Sequence, residues 1–167
     1  TTFAIVGNFF KFKDGSTETE TLNLTNHLSS GAGGNICNIG NAEFNEYIIK
    51  IPKVKGNSVT EIDNAKLESA IEKEAIELLN NELVSNQKNN LLNTHGFFFP
   101  NANNQDATEG LTYFIQEKLS EPLQNFLYNS TFEKNNLNIN IINIIGAKMY
   151  GIASALKFLN GNNISHL

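Results

Sequence analysis

Residues 93–119, NTHGFFFPNANNQDATEGLTYFIQEKL, decide how the rest of the chain is assembled. The first part, 93–107, has four Asn and ends its apolar run with Pro100, so it reads as a long irregular loop around a knot of Phe97, Phe98 and Phe99. Asp106 and Glu109 have capping-box spacing. Leu111, Phe114, Ile115 and Leu119 then recur at three- and four-residue steps, which predicts a helix starting near Asp106 or Thr108. Ser120 with Pro122 interrupts that stripe, Leu123, Phe126 and Leu127 continue it, and Asn135-Asn136 breaks it.

The chain before this stretch reads as strands and one helix. Residues 2–13 alternate, with Ala4, Val6, Phe10 and Phe12 set against Lys11 and Lys13, and Asp14-Gly15 marks a hairpin turn. Residues 16–24 alternate Thr with Glu and then reach Leu22 and Leu24, as expected of a solvated or edge strand. Residues 25–42 read as a loop, with a short apolar return at Ile36–Ile39. Residues 43–55 form the clearest strand, with Tyr47, Ile49 and Ile51 on one face; Pro52 lacks an N–H, so the strand ends there or lies at an edge. Thr60, with Asp63 as capping partner, opens a long amphipathic helix over 61–85 whose core stripe is Leu67, Ile71, Leu78, Leu79 and Leu83.

After the central stretch, residues 137–145 (LNINIINII) alternate like a central strand. Gly146 turns the chain into a last helix over 147–159, capped by Gly161. The expected fold is α+β, a single domain over 1–167. It has a mainly antiparallel sheet of about four strands under three helices, in the order β-β-(β)-β-α-α-β-α.

Composition narrows the function classes. The chain has 167 residues, 28 of them Asn, with 12 Lys, no Arg and a net charge of −5. A phosphate-tracking surface needs clustered Lys and Arg, so no nucleic-acid partner is expected. No apolar window is long enough to span a bilayer, and no signal peptide is read at the N-terminus, so a membrane partner is disfavoured and the cytoplasm is the expected compartment. The single Cys37 forms no internal disulfide and reads as a small buried hydrophobe. Three Asn-x-Ser/Thr sequons, at Asn23, Asn129 and Asn163, are what this composition produces by chance.

Few residues offer chemistry. Gly31-Ala32-Gly33-Gly34 lacks the following Lys and helix of a phosphate loop and reads as a flexible connection. His27, His95 and His166 show no metal-ligand spacing. Neither a cofactor nor a metal is expected. His95, in the expected 93–107 loop near Asp106 and Glu109, is the one weak candidate for a general base. Three function classes remain. The first is a non-enzymatic structural or self-assembling protein, a homo-oligomer or a component beside other protein subunits. Its contacts would come from edge-strand pairing at Thr17, Thr19 and Thr21, docking of Phe97, Phe98 and Phe99, and packing of the last helix through Met149 and Tyr150. The second is an enzyme or small-ligand binder with a pocket under the 93–107 loop. The third is a membrane-active protein using its C-terminal helix.

Overall fold

A computed structural model describes residues 2–31, 33–82, 91–101, 110–120, 125 and 139–164. The chain divides into two compact units. One comprises residues 1–82 and 92–118, and the other 83–91 and 119–167.

The first unit is a closed antiparallel barrel and not a four-stranded sheet. Its strands are β1 (Phe3–Lys11), β2 (Thr17–Gly31), β3 (Gly34–Ile39), β4 (Tyr47–Ile51), β5 (Thr94–Pro100) and β6 (Tyr113–Glu117). They close in the order β1-β2-β3-β4-β6-β5. The β1–β2 hairpin turns where expected. Gly15 adopts φ 69°, which a side chain would resist, and Asp14 Oδ1 accepts the Ser16 backbone N–H at 2.9 Å.

The 25–42 loop is replaced by strands. β2 runs on to Gly31, Gly34 turns it back, and β3 pairs along it from Gly31↔Gly34 to Leu24↔Ile39, with irregularities on either side of His27. Ser29 and Ser30 are tolerated because their side chains stay exposed, and Ser30 Oγ donates to Asn35 Oδ1 at 2.8 Å. Residues 16–24 do form a strand, but it is an internal member of a closed sheet. From Thr17 to Asn23 it has a strand partner on one side alone, β1, as a solvated edge would; both neighbours flank it at Leu24, and β3 alone pairs it from there to Gly31.

The largest correction concerns the deciding stretch. Residues 94–100 are strand β5, paired with β1 on one side and β6 on the other. Residues 113–117, expected to be helical, are β6, which closes the barrel against β4. Their proposed start at Asp106 or Thr108 lies outside the described residues, as do Leu123, Phe126 and Leu127. The physical reason is burial on both faces. Phe98, Tyr113 and Ile115 fill the barrel interior, while Phe97, Phe114 and Gln116 are covered from outside. A strand buried on both faces reads as an unbroken apolar run instead of an alternation, and such a run also matches three- and four-residue steps.

The interior is filled by side chains. Ile5, Phe9, Leu22, Leu24, Cys37, Ile39, Ile49, Phe98, Tyr113 and Ile115 form one buried cluster, joined by Phe44 and Leu111. A barrel of this strand number has room for its own side chains and little else. In β1 the buried face is Ile5, Gly7 and Phe9, the opposite phase to the expected Val6, Phe10 and Phe12. Those outer rings instead pack together on the outside. Phe12 meets Phe97 edge-on at 4.8 Å, and Phe10 stacks on it at 6.3 Å. Gly96 lets β5 approach β1, because a methyl group there would overlap the Phe10 carbonyl and the Phe9 ring.

One helix, α1 (Val59–Glu82), lies in the same unit. Its cap is Ser58, two residues ahead of the expected Thr60. Ser58 Oγ and N–H both donate to Glu61 Oε2, at 2.7 and 3.1 Å, and the Glu61 N–H returns to Ser58 Oγ at 3.3 Å. This is a reciprocal capping box. The second unit is described mainly by α2 (Ile139–Gly161). Ile139 onward is therefore helical and not a central strand, and the helix passes through Gly146 without turning. The sequence 139–145 fits both periods, since Ile139, Ile142 and Ile145 also recur every third residue. The C-terminal turn is set by Asn163 at φ 56° and not by Gly161. Ile164 N–H reaches Leu159 O at 2.9 Å, and Asn163 N–H reaches Asn160 O at 3.2 Å, the Schellman arrangement. No helix of the described residues is long and apolar enough to cross a membrane.

Candidate functional site

The feature that departs most from ordinary packing is the orientation of α1. Ala65 and Ser69 are buried against the barrel, one turn apart. Ser69 Oγ accepts the Thr112 backbone N–H at 3.4 Å and donates to Lys66 O at 3.0 Å. Small residues at this spacing let the helix lie close to the strands. The lysines of α1 also turn inward. The Lys66 stem runs beside Gly110, and Lys73 Nζ sits 5.4 Å over the Phe97 ring while donating to Glu77 at 2.9 Å. From the sheet, Lys50 of β4 donates to Glu72 at 2.6 Å and covers the Phe114 ring. Cations over ring faces are attracted by the ring quadrupole, and this explains how a polar face of α1 packs on an aromatic sheet.

The consequence is that three residues of the expected core stripe face out, while Leu79 is half-buried and Leu83 lies outside the described residues. Leu67 is 60% exposed, Ile71 58% and Leu78 39%. Around it stand the exposed carboxylates Asp63, Glu68 and Glu74. Beside its N-terminal turns lies a shallow cavity of about 160 Å³ lined by Lys53, Lys55, Glu61, Asn64, Ala65 and Glu68. Hydrogen bonds from Ser58 hold the Glu61 carboxyl below the usual carboxylate range. Sequence reasoning found the stripe but assigned it to the core. The signal for the other face was present, in Ala65 and Ser69 one turn apart.

The sequence-derived candidates are scattered. His95 lies at the irregularity between Thr94 and Gly96 in β5, at one end of the barrel. Its ring stacks on Tyr47 at 4.2 Å with 11° between the planes, and stands 5.5 Å from Phe9. Burial, with Lys11 and Lys13 adding to it, holds its pKa below the ordinary value. The 93–107 loop that was to cover a pocket beside it is strand β5 from Thr94 to Pro100. Asp106 and Glu109 lie outside the described residues. Among the described residues, no group of three metal-ligating side chains comes together.

Phe97 and Phe98 are fully buried, one outside the barrel wall and one inside, so neither is free to dock; Phe99 is half-buried. Thr17, Thr19 and Thr21 are exposed on the outer face of β2, where Thr19 Oγ1 donates to Asn8 Oδ1 at 3.2 Å. Met149 and Tyr150 are exposed on α2, at 55% and 76%. Burial pushes the Cys37 thiol up, which suits a packing residue and not a nucleophile. His27 is exposed on β2, and His166 lies outside the described residues. Gly31 ends β2 and Gly34 opens β3, paired with each other.

The chain matches no family model, no curated protein and no solved structure.

Proposed function

We propose that this is a non-enzymatic structural or self-assembling protein that works through contacts with protein subunits, in a reducing compartment such as the cytoplasm. The observation that supports this most is α1. It binds its own barrel through Ala65, Ser69 and two lysines, and presents Leu67, Ile71 and Leu78 outward. Exposed apolar residues grouped on one face, with a charged rim, are the usual mark of a protein-interaction surface. Two further surfaces suit the same reading. The start of β2, with exposed Thr17 and Thr19, is paired only with β1 and offers strand addition; from Thr21 to Asn23 that edge is taken by the Asn41 side chain and the Gly40 N–H. α2 carries Met149 and Tyr150 exposed.

Light scattering across a concentration series tests the self-assembling form of this reading. It anticipates a mass above the 18.5 kDa of one chain. A single-chain mass at every concentration rejects self-assembly.

A further inference from the structure

We infer that the outer face of α1 is a docking surface for a lysine-bearing amphipathic helix of another protein subunit. This deepens the association reading above by naming the partner's chemistry.

Spacing argues for a helix. Leu67, Ile71 and Leu78 are four and seven residues apart, and Glu74 stands three beyond Ile71. That is a repeat of 3.5 residues, the seam on which a second helix lies lengthwise. From Leu67 to Leu78 the seam spans about 16 Å, or three turns. An added strand would not follow it, because strand side chains alternate with period two.

Charge selects which helix. Glu74 sits within the seam and Glu68 and Asp63 beside it, all exposed and with no ion pair among the described residues. The lysines that would neutralise them are engaged elsewhere. Lys66 and Lys73 run inward to the barrel, and Lys50 is held by Glu72. Among the described residues, Lys53 and Lys55 line the cavity on the Glu61 and Glu68 flank, at the N-terminal end. The seam therefore sets Leu67 beside Asp63 and Glu68 in its N-terminal half, and Ile71 beside the unpaired Glu74 in its middle. A second copy of α1 would bring like charges together, which disfavours symmetric pairing on this face. An anionic lipid surface is repelled for the same reason. A helix with leucine-like residues at the matching spacing and lysines on its flanks satisfies both terms.

The test uses the full chain and a fluorescein-labelled synthetic peptide of about five helical turns, with leucines at steps of three and four and lysines elsewhere. The controls are the same peptide with glutamates replacing the lysines, and a scrambled leucine/lysine peptide. Fluorescence anisotropy should show saturable binding of the first peptide alone. Leu67→Ser with Ile71→Ser, and separately Glu68→Lys with Glu74→Lys, should each weaken it by about tenfold or more, the cost of losing roughly 1.4 kcal/mol. Raised salt should weaken the wild-type complex, since the charges are exposed. Thermal melting checks that the variants fold; all four positions are exposed. The inference is overturned if the leucine/lysine peptide does not bind, if the glutamate or scrambled peptide binds equally, or if either double variant binds as the wild type does. It is also overturned if, without peptide, wild-type dimers dissociate on Leu67→Ser with Ile71→Ser, because a second copy then occupies the face. A chain that is monomeric alone yet binds the peptide through these residues rejects self-assembly and leaves the docking surface standing.

Discussion

Replacing Phe98 by Ala and, separately, Ile71 by Ser tests the inside-out arrangement of this molecule. Phe98 is fully buried in the barrel, beside Tyr113 at 6.3 Å and paired with Phe9 across β1. Truncating a buried Phe to Ala removes its transfer free energy and leaves a cavity, together about 3–5 kcal/mol. The barrel unit spans roughly a hundred residues, for which each kcal/mol moves Tm by ~4–8 °C. The expected fall is therefore about 12 °C or more, a large part of the stability of a marginal domain. Ile71 is 58% exposed, so Ile71→Ser should change stability by no more than ~0.5 kcal/mol. Thermal and urea melts of both variants, followed by far-UV circular dichroism, give the comparison. The sequence pattern alone orders the two the other way, with Ile71 in a core stripe and Phe98 in a loop. A large loss for Ile71→Ser beside a small one for Phe98→Ala would refute the barrel as described.

Four other outcomes follow from single contacts. Ser58→Ala removes the capping box of α1 and should cost about 1 kcal/mol in a urea melt, while Thr60→Ala should cost less, since Thr60 is not the cap. Gly96→Ala forces β5 away from β1 and should destabilise by more than about 1 kcal/mol, whereas Gly146→Ala, with open space around it, should stabilise α2 by some tenths up to about 1 kcal/mol. His95 has a lowered pKa, so the unfolded chain takes up its proton first. Its contribution to stability is complete above the ordinary value of 6.5 and is lost as pH falls from there through the folded value. An NMR titration should place its midpoint below 6.5, and His95→Phe should remove that step from the stability profile. Cys37 should resist a thiol reagent in the folded protein and react once it is unfolded.

Local chemistry made part of the fold readable. Asp14-Gly15 dictates the first hairpin, because the turn needs positive φ at glycine. Pro52 ends β4 for want of an N–H, and the run from 59 is helical by propensity and cap. The candidate site was legible as residues but not as a surface. Leu67, Ile71 and Leu78 form a visible stripe, and nothing local says whether a stripe faces in or out.

The sequence by itself determined where β1, the start of β2 and α1 form, and the middle of the strand expected over 43–55, where Tyr47–Ile51 is β4 and Ala42–Phe44 a 3-10 turn, because turns, caps and period-two alternation act over a few residues. It also set the negative charge and the scarcity of reactive clusters. Only the tertiary structure decided that residues 94–100 and 113–117 are strands, since their pairing with β1 and β4 links residues far apart in the chain. Burial on both faces erased the alternation that would have announced them. Tertiary packing also chose the phase of β1 and the inward face of α1. An aromatic wall of Phe97 and Phe114 takes lysine stems and ammonium groups, and small residues bring a helix closer than leucines do, so the outward stripe was fixed by what lay beneath the helix.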